Sequence, residues 1–152
     1  MEVLTELDDI SLAIASEVNI LISGGDAVER TALACLIHQN HDPAGSFIVF
    51  SAQPEPEPTA AQEMIRASNG GTLFIEELAD LDSEAQSELL RVLEARRPGE
   101  ESAAPRRVIT AMGGDLQDRI ASERVLGDLF YRLNSVHLVV EPSVPRTRAW
   151  LM

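Results

Sequence analysis

The sequence predicts an α/β protein, a doubly wound three-layer α-β-α sandwich around a five-stranded parallel sheet. Five apolar runs of four or five residues alternate along the chain with segments of helical period. The runs are continuously apolar, as in parallel strands that helices cover on both faces. With 152 residues and no internal repeat, the chain fits a single domain, residues 1–152.

The composition is acidic, with a net charge of −13 and an isoelectric point near 4.5. Direct contact with DNA is therefore not expected, because phosphate contacts need a basic face. No apolar run approaches the roughly 20 residues of a membrane span, and the acidic amino terminus argues against a signal peptide. We expect a cytoplasmic protein. The single Cys35 lies in an apolar helical run and is interpreted as a buried structural thiol.

The beginning of the chain predicts a helix, a strand and a second helix. Apolar residues at a nearly helical period over residues 4–15 indicate an amphipathic helix. Asn19 to Ser23 predicts a buried strand, which Gly24-Gly25 ends. Asp26 is expected to cap a helix from Ala27 to Gln39. The side chains expected on the inner face of that helix are Val28, Ala32, Cys35 and Leu36.

The later elements follow the same alternation. Residues 47–50 predict the second strand, and the Pro-rich residues 54–58 predict an extended connector. Thr59 and Gln62 resemble a capping box that opens a helix to about Ala67. The remaining elements are strands over residues 72–75, 108–111 and 136–140, helices over residues 83–96 and 125–133, and a short helical segment from Asp115.

Two adjacent carboxylates, Glu76 and Glu77, directly follow the third predicted strand. Open parallel sheets place their chemistry at the carboxyl ends of the strands, so these acids are the first candidates for function. His38 and His41 suggest a metal, but the sequence shows no complete ligand set around them. We therefore predict no metal site.

Four blocks of sequence, in the same order, resemble the AAA+ ATPase domain of bacterial sigma-54-dependent transcriptional activators. The longest, Gly70 to Leu81 with the sequence GGTLFIEELADL, is similar to the family's GGTLFLDEIGDL. The other blocks span residues 86–93, 107–111 and 128–134. The likeness covers roughly residues 18 to 148. It implies the P-loop NTPase core of an AAA+ protein, which forms rings and hydrolyses ATP.

The stretch Gly24-Gly25-Asp26-Ala27-Val28-Glu29-Arg30-Thr31 stands where the family carries its phosphate loop. In that motif main-chain amides surround the phosphates, and a lysine pairs with their charge. Here Glu29 replaces the second glycine and Arg30 replaces the lysine. We expect Gly24, Gly25, Arg30 and Thr31 to be vestiges of a cofactor site, because a carboxylate beside phosphate is strongly unfavourable. For Arg30 we expect a surface ion pair with Glu29 or Asp26, and residual phosphate binding is the alternative.

The other functional positions of the family are also altered. The resemblance assigns magnesium orientation to the first acid, where Glu76 replaces a shorter aspartate, and water activation to Glu77. Gly113 stands at the polar residue that senses the terminal phosphate. Of two arginines that act in a neighbouring subunit, Leu126 replaces the first and Arg132 matches the second. We therefore interpret Glu76, Glu77 and Arg132 as vestigial and assign no catalytic residue; a solvated strand end is the interpretation favoured for the acids.

Three elements of the family are not found in the sequence. The long insertion that contacts the sigma factor has no counterpart between Phe50 and Met64, and the helical lid subdomain and the DNA-binding module are not matched. The sequence thus predicts a non-catalytic regulatory protein that acts in transcription through protein contacts. Expected partners are an intact AAA+ activator, sigma-54 or RNA polymerase, with self-association also considered, and no cofactor is expected.

Two alternatives stay open. The chain is a weak ATPase if Arg30, Glu76 and Glu77 form an unusual site for ATP and magnesium. It is an excised fragment if it belongs to a longer two-component response regulator with receiver and DNA-binding modules.

Overall fold

The computed structural model describes residues 6–15, 18–51, 60–95, 105–114 and 127–140. Helices and strands alternate through these ranges. The strands are β1 (Ile20–Gly24), β2 (Phe47–Phe50), β3 (Thr72–Ile75), β4 (Arg107–Met112) and β5 (Val136–Val140). The helices are α1 (Glu6–Ala15), α2 (Ala27–His41), α3 (Ala60–Ala67), α4 (Ser83–Ala95) and α5 (Gly127–Leu133), with a 3-10 helix over Leu78–Asp80. None of the described helices combines the length and the apolar character needed to cross a membrane.

The five strands form one parallel sheet in the order β2-β3-β4-β1-β5. The register pairs Ile22 of β1 with Ala111 of β4, and Ile75 of β3 with Thr110 of β4. The carboxyl ends of β3, β4 and β1 therefore lie side by side at one edge of the sheet, which we call the carboxyl edge. The opposite edge, where these strands begin, is the amino edge.

Helices cover both faces of the sheet, and residues alternate between two apolar clusters along each strand. On one face, Leu21, Leu73 and Val108 pack against α3, α4, α5 and the 3-10 helix. On the other face, Ile22 and Ile109 pack against α1 and α2. The predicted three-layer sandwich with a five-stranded parallel sheet is confirmed. Each fully buried Leu or Ile in these layers stabilises the fold by roughly 2 kcal/mol.

The predicted inner face of α2 is wrong. Val28 is 78% exposed and Leu36 is 46% exposed, and Cys35 is only partly buried. The residues that α2 buries are Arg30, Ala34, Ile37 and His38. Two of these side chains are polar and find partners inside the protein, so the apolar period of the sequence does not mark the buried face.

His38 shows how the interior satisfies a polar side chain of α2. Its Nε2–H donates to the Gly45 carbonyl oxygen at 3.1 Å, and its Nδ1 lies 3.0 Å from Thr72 Oγ1 at the start of β3. Both ring nitrogens are therefore hydrogen-bonded, as buried polar groups require. Gln86 of α4, which the sequence did not place in the core, is buried in a similar way and donates to the Leu81 carbonyl oxygen at 3.0 Å.

Most other boundaries agree with the predictions to within two or three residues. Asp26 caps α2 as predicted, and Asp82 accepts from the Ala85 amide at 2.7 Å at the start of α4. Several predicted features lie outside the described residues. These are the connector over residues 54–58, the Thr59 end of the capping box, the segment from Asp115, Leu126 and the residues after Val140.

The amino edge joins segments that are distant in the sequence. Arg107 Nη2 donates to the Ala13 carbonyl oxygen of α1 at 2.6 Å, and Arg107 is fully buried. Asn19, just before β1, accepts from the Val108 amide at 3.0 Å and donates to the Arg132 carbonyl oxygen of α5 at 3.2 Å. These contacts fix α1, β1, β4 and α5 relative to one another.

Candidate functional site

The loop after β1 turns sharply at two glycines. Gly24 and Gly25 both have positive φ angles, 80° and 56°. Space also requires glycine here, because a Cβ at Gly25 would lie 2.6 Å from Val140 Cγ1 of β5. The loop then passes directly into α2 at its N-cap, Asp26.

The first amides of α2 donate to carboxylates of the chain itself. The Glu29 amide donates to Asp26 Oδ1 at 2.8 Å, and the Asp26 amide donates to Glu29 Oε1 at 3.0 Å. This is a complete capping box, in which two side chains satisfy the main-chain donors at the start of the helix. The Asp-x-x-Glu spacing was visible in the sequence, but only Asp26 was identified from it.

Arg30 turns inward, towards the loop that precedes its helix. It is only 9% exposed, and its Nη1 donates to the carbonyl oxygens of Gly24 and Gly25, both at 2.9 Å. Its Nε finds no hydrogen-bond partner among the described residues. The predicted surface ion pair with Glu29 or Asp26 is therefore wrong: these carboxylates belong to the capping box, and the guanidinium instead meets two carbonyl oxygens at once.

Glu77 connects the ends of β3 and β4. Its Oε1 accepts from the Gly113 amide at 2.7 Å, just after β4, and its Oε2 accepts from the Ala79 amide at 3.4 Å. The second contact makes Glu77 the N-cap of the 3-10 helix. Glu77 is half-buried, and its carboxylate lies on the β4 side of β3.

Glu76 points the other way. It is exposed, and its Oε2 accepts from Ser51 Oγ at 2.6 Å, just after β2. The two acids are adjacent in sequence but have different partners. Glu76 contacts the residue after β2 and Glu77 the residue after β4, so the two carboxylates serve different strand ends.

Gly113 lies between the side chains of Arg30 and Glu77. A Cβ at this position would be 3.1 Å from Arg30 Nη2 and 3.4 Å from Glu77 Oε1. The Arg30 guanidinium and the Glu77 carboxylate therefore both lie next to Gly113, at the carboxyl edge. The family resemblance assigned all three positions to one phosphate site, but it did not predict that Arg30 would bond the loop itself.

The two remaining predicted site residues are Thr31 and Arg132. Thr31, the next residue of α2, is half-buried. Arg132 is exposed on α5, where its Nη2 lies 3.8 Å from Glu94 Oε2. The Arg132 carbonyl oxygen bonds Asn19 at the amino edge, so this residue sits at the end of the sheet opposite to Arg30 and Glu77.

Metal ligands are not clustered in the part of the chain that the structure describes. No group of three or more His, Cys, Asp or Glu side chains there could hold a metal ion. His41, like His38, bonds a main-chain carbonyl oxygen, that of Ile14.

Comparison with known proteins decides the family. A model of the family described as "Sigma-54 interaction domain" matches residues 58–139, just over half of the chain. The chain belongs to the sigma-54 interaction domain family. The matched range of this domain includes Glu76, Glu77 and Gly113, and it begins after the loop over residues 24–31.

Individual relatives agree with this assignment. The acetoin catabolism regulatory protein of Cupriavidus necator is 30% identical to this chain, and the match covers 97% of this chain and 26% of that protein. The chain spans only between 26% and 33% of the length of the first four curated relatives that it matches. It is thus related to sigma-54 transcriptional regulators through one part of their length.

Two solved structures show the same fold. NtrX from Brucella abortus in complex with ATP has a TM-score of 0.72 at 24% identity, covering 91% of this chain and 36% of that one. The P-loop NTPase domain of a sigma-54 transport activator from Escherichia coli has a TM-score of 0.68 at 20% identity, covering 84% of this chain and 99% of that one. The predicted AAA+ P-loop NTPase core is confirmed.

Proposed function

We propose that this sigma-54 interaction domain is non-catalytic and acts in transcription regulation through contacts with other proteins. The observation that supports this most directly is the side chain of Arg30, which occupies the loop where the family resemblance implies a phosphate. No nucleotide and no magnesium are expected to bind. A transcription regulator works in the cytoplasm of a bacterium, so we also expect that location.

The start of α2 supports the proposal first. A phosphate binds a helix N-terminus through free main-chain amides and the positive end of the helix dipole. Here the Asp26 and Glu29 amides already donate to carboxylates. A phosphate would have to displace the Asp26 and Glu29 carboxylates from these amides. It would then lie beside two negative charges, which is unfavourable for the phosphate and for the carboxylates.

The position of Arg30 supports the proposal further. To meet a phosphate, the guanidinium would have to give up its bonds to the Gly24 and Gly25 carbonyl oxygens. A hydrogen bond from a charged donor is worth roughly 1.5–3 kcal/mol, so this rearrangement is costly. Gly113, in turn, has no side chain with which to contact a terminal phosphate.

Calorimetric titration of the domain with ATP and magnesium tests the loss of nucleotide binding. We expect no measurable binding at millimolar ATP, whereas an intact family member titrated in parallel binds. The Arg30→Ala variant is the matched control for any heat that the wild type produces. Micromolar binding that disappears in Arg30→Ala would overturn the proposal, because Arg30 would then be a phosphate ligand.

A protein partner is expected to use α5. Tyr131 is 84% exposed, and Arg132 is exposed beside it. Exposed aromatic and arginine side chains are the residues that most often carry binding energy in interfaces. An intact AAA+ activator is the first partner proposed, with sigma-54 and RNA polymerase as further candidates.

Mixing the domain with intact activators tests this contact. We expect the ATPase rate or the assembly of at least one activator to change, and the double variant Tyr131→Ala with Arg132→Ala to lose the effect. Arg91→Ala, on the exposed surface of α4, is the control and should retain it. No change with several activators would count against the proposed contact.

A weak ATPase is the second candidate, because Glu77 and Arg30 face each other across Gly113. Slow ATP hydrolysis that Glu77→Gln abolishes would favour this function. Membership of a longer regulator is compatible with either candidate, since the chain matches only part of the length of its relatives.

A further inference from the structure

We infer that Gly113 is a positioning residue for Arg30: the absence of a side chain after β4 is what allows the guanidinium to occupy the loop after β1. Arg30, Gly113 and Glu77 then form one coupled unit that keeps this loop folded without a ligand. This deepens the proposed function and rests on one part of it, namely that Arg30 occupies the loop after β1.

The loop needs a donor inside it. The Gly24 and Gly25 carbonyl oxygens both accept from Arg30 Nη1, and both glycines have left-handed φ angles. These part-buried carbonyl oxygens are costly to leave without a donor, and Arg30 supplies one to both. Arg30 therefore acts as a built-in substitute for a ligand that would otherwise organise the loop.

The surroundings of Gly113 leave little room for a side chain, whereas its backbone conformation does not require glycine. Its φ angle is not among the positive values found at Gly24, Gly25, Gly70 and Gly114. A Cβ would nevertheless lie 3.1 Å from Arg30 Nη2, closer than ordinary van der Waals contact. The guanidinium would have to shift by a few tenths of an ångström, and its two hydrogen bonds through Nη1 oppose that shift.

Glu77 prevents the backbone from relieving the contact. The Gly113 amide donates to Glu77 Oε1 at 2.7 Å, and Glu77 is fixed in turn by the Ala79 amide. A Cβ at Gly113 would also lie 3.4 Å from Glu77 Oε1. A side chain added at this position is therefore confined between a held cation and a held carboxylate.

A thermal-denaturation cycle tests the coupling. Gly113→Ala is expected to lower the Tm by roughly 3 °C or more, since overpacking outweighs the entropy that alanine removes from the unfolded chain. In an Arg30→Met background, which keeps the stem but removes the guanidinium, the same change should leave the Tm unchanged or raise it. Gly127→Ala is the control, because a Cβ at Gly127 meets nothing within 4 Å, and it should not lower the Tm in either background.

The sign of the Gly113→Ala effect decides the inference. Equal Tm losses in the two backgrounds would overturn it, because the cost would then not pass through Arg30. If Arg30→Met does not fold, Gly113→Ala and Gly113→Val are made in an Arg30→Lys background, because the shorter lysine side chain no longer reaches Gly113. A smaller Tm loss in that background than in the wild type supports the coupling. An unchanged Tm loss refutes it. Nucleotide titration reports separately on the proposed function, so the two can fail independently.

Discussion

The amino edge and the carboxyl edge of the sheet each bury an arginine, and the two arginines join different parts of the chain. Arg107 bonds the Ala13 carbonyl oxygen, 94 residues away in sequence. Arg30 bonds Gly24 and Gly25, five or six residues away. At the amino edge, Arg107 thus holds distant elements together. At the carboxyl edge, Arg30 bonds only the loop that precedes its own helix. A buried cation is by itself no sign of a ligand site, because both arginines end on main-chain carbonyl oxygens.

Replacing the two arginines should separate these roles, and the largest effect is expected at the amino edge. Arg107→Ala removes a fully buried side chain and the donor to Ala13, so we expect a loss of about 3 kcal/mol in the free energy of unfolding. Arg30→Ala should cost about half as much although Arg30 makes two bonds, because these are part-buried and water can replace the lost donor. Urea denaturation measures both.

Arg91→Ala is the control for removing an arginine as such. Its bidentate contact with Glu88 lies on the surface, where water screens an ion pair, so its loss should change the free energy of unfolding little. A loss for Arg30→Ala as large as that for Arg107→Ala would show that both edges are equally structural, and would remove the distinction drawn between them.

The same contrast explains how far the sequence could predict the molecule. All five strands were located because each is a continuous apolar run between turn residues, and this pattern depends only on local sequence. The carboxyl end of β3 was identified for the same reason, so Glu76 and Glu77 were placed at the correct edge of the sheet.

The inward direction of Arg30 could not be predicted in this way. Arginine is almost always exposed, and the acceptors that bury this one are carbonyl oxygens whose direction depends on the fold of the Gly24-Gly25 turn. The apolar pattern of α2 was misleading for the same reason, since Arg30 and His38 occupy the buried face while Val28 is exposed. The family resemblance places Arg30 and Gly113 at one phosphate site, but it does not predict that the guanidinium packs directly against Gly113.

A contact between Ser23 and His137 lies between the two edges, and we expect it to make an intermediate, pH-dependent contribution to stability. Ser23 Oγ and His137 Nε2 are 2.6 Å apart and join β1 to β5. Burial lowers the pKa of His137 below its ordinary value of 6.5. The unfolded chain therefore binds a proton more readily than the folded one, so this group makes stability fall as the pH drops below about 6.5.

The His137→Gln variant tests that contribution. Between pH 7.5 and pH 5.5, the Tm of the wild type should fall more than that of His137→Gln, which cannot titrate. His38 and His41 are present in both proteins, so the difference between the two profiles isolates His137. Parallel profiles would show that the contact between β1 and β5 does not depend on protonation of His137.

The smallest expected effect is that of Glu76→Ala, which is compared with Glu77→Ala at the same edge. Glu77→Ala removes the acceptor of the Gly113 and Ala79 amides and should lower the free energy of unfolding by about 1–2 kcal/mol. Glu76→Ala removes one exposed contact with Ser51 and should change it by less than about 0.5 kcal/mol. Urea denaturation of the two variants gives the difference directly. Equal losses would mean that Glu76 also holds the carboxyl edge together, and the structural role assigned to Glu77 alone would be wrong.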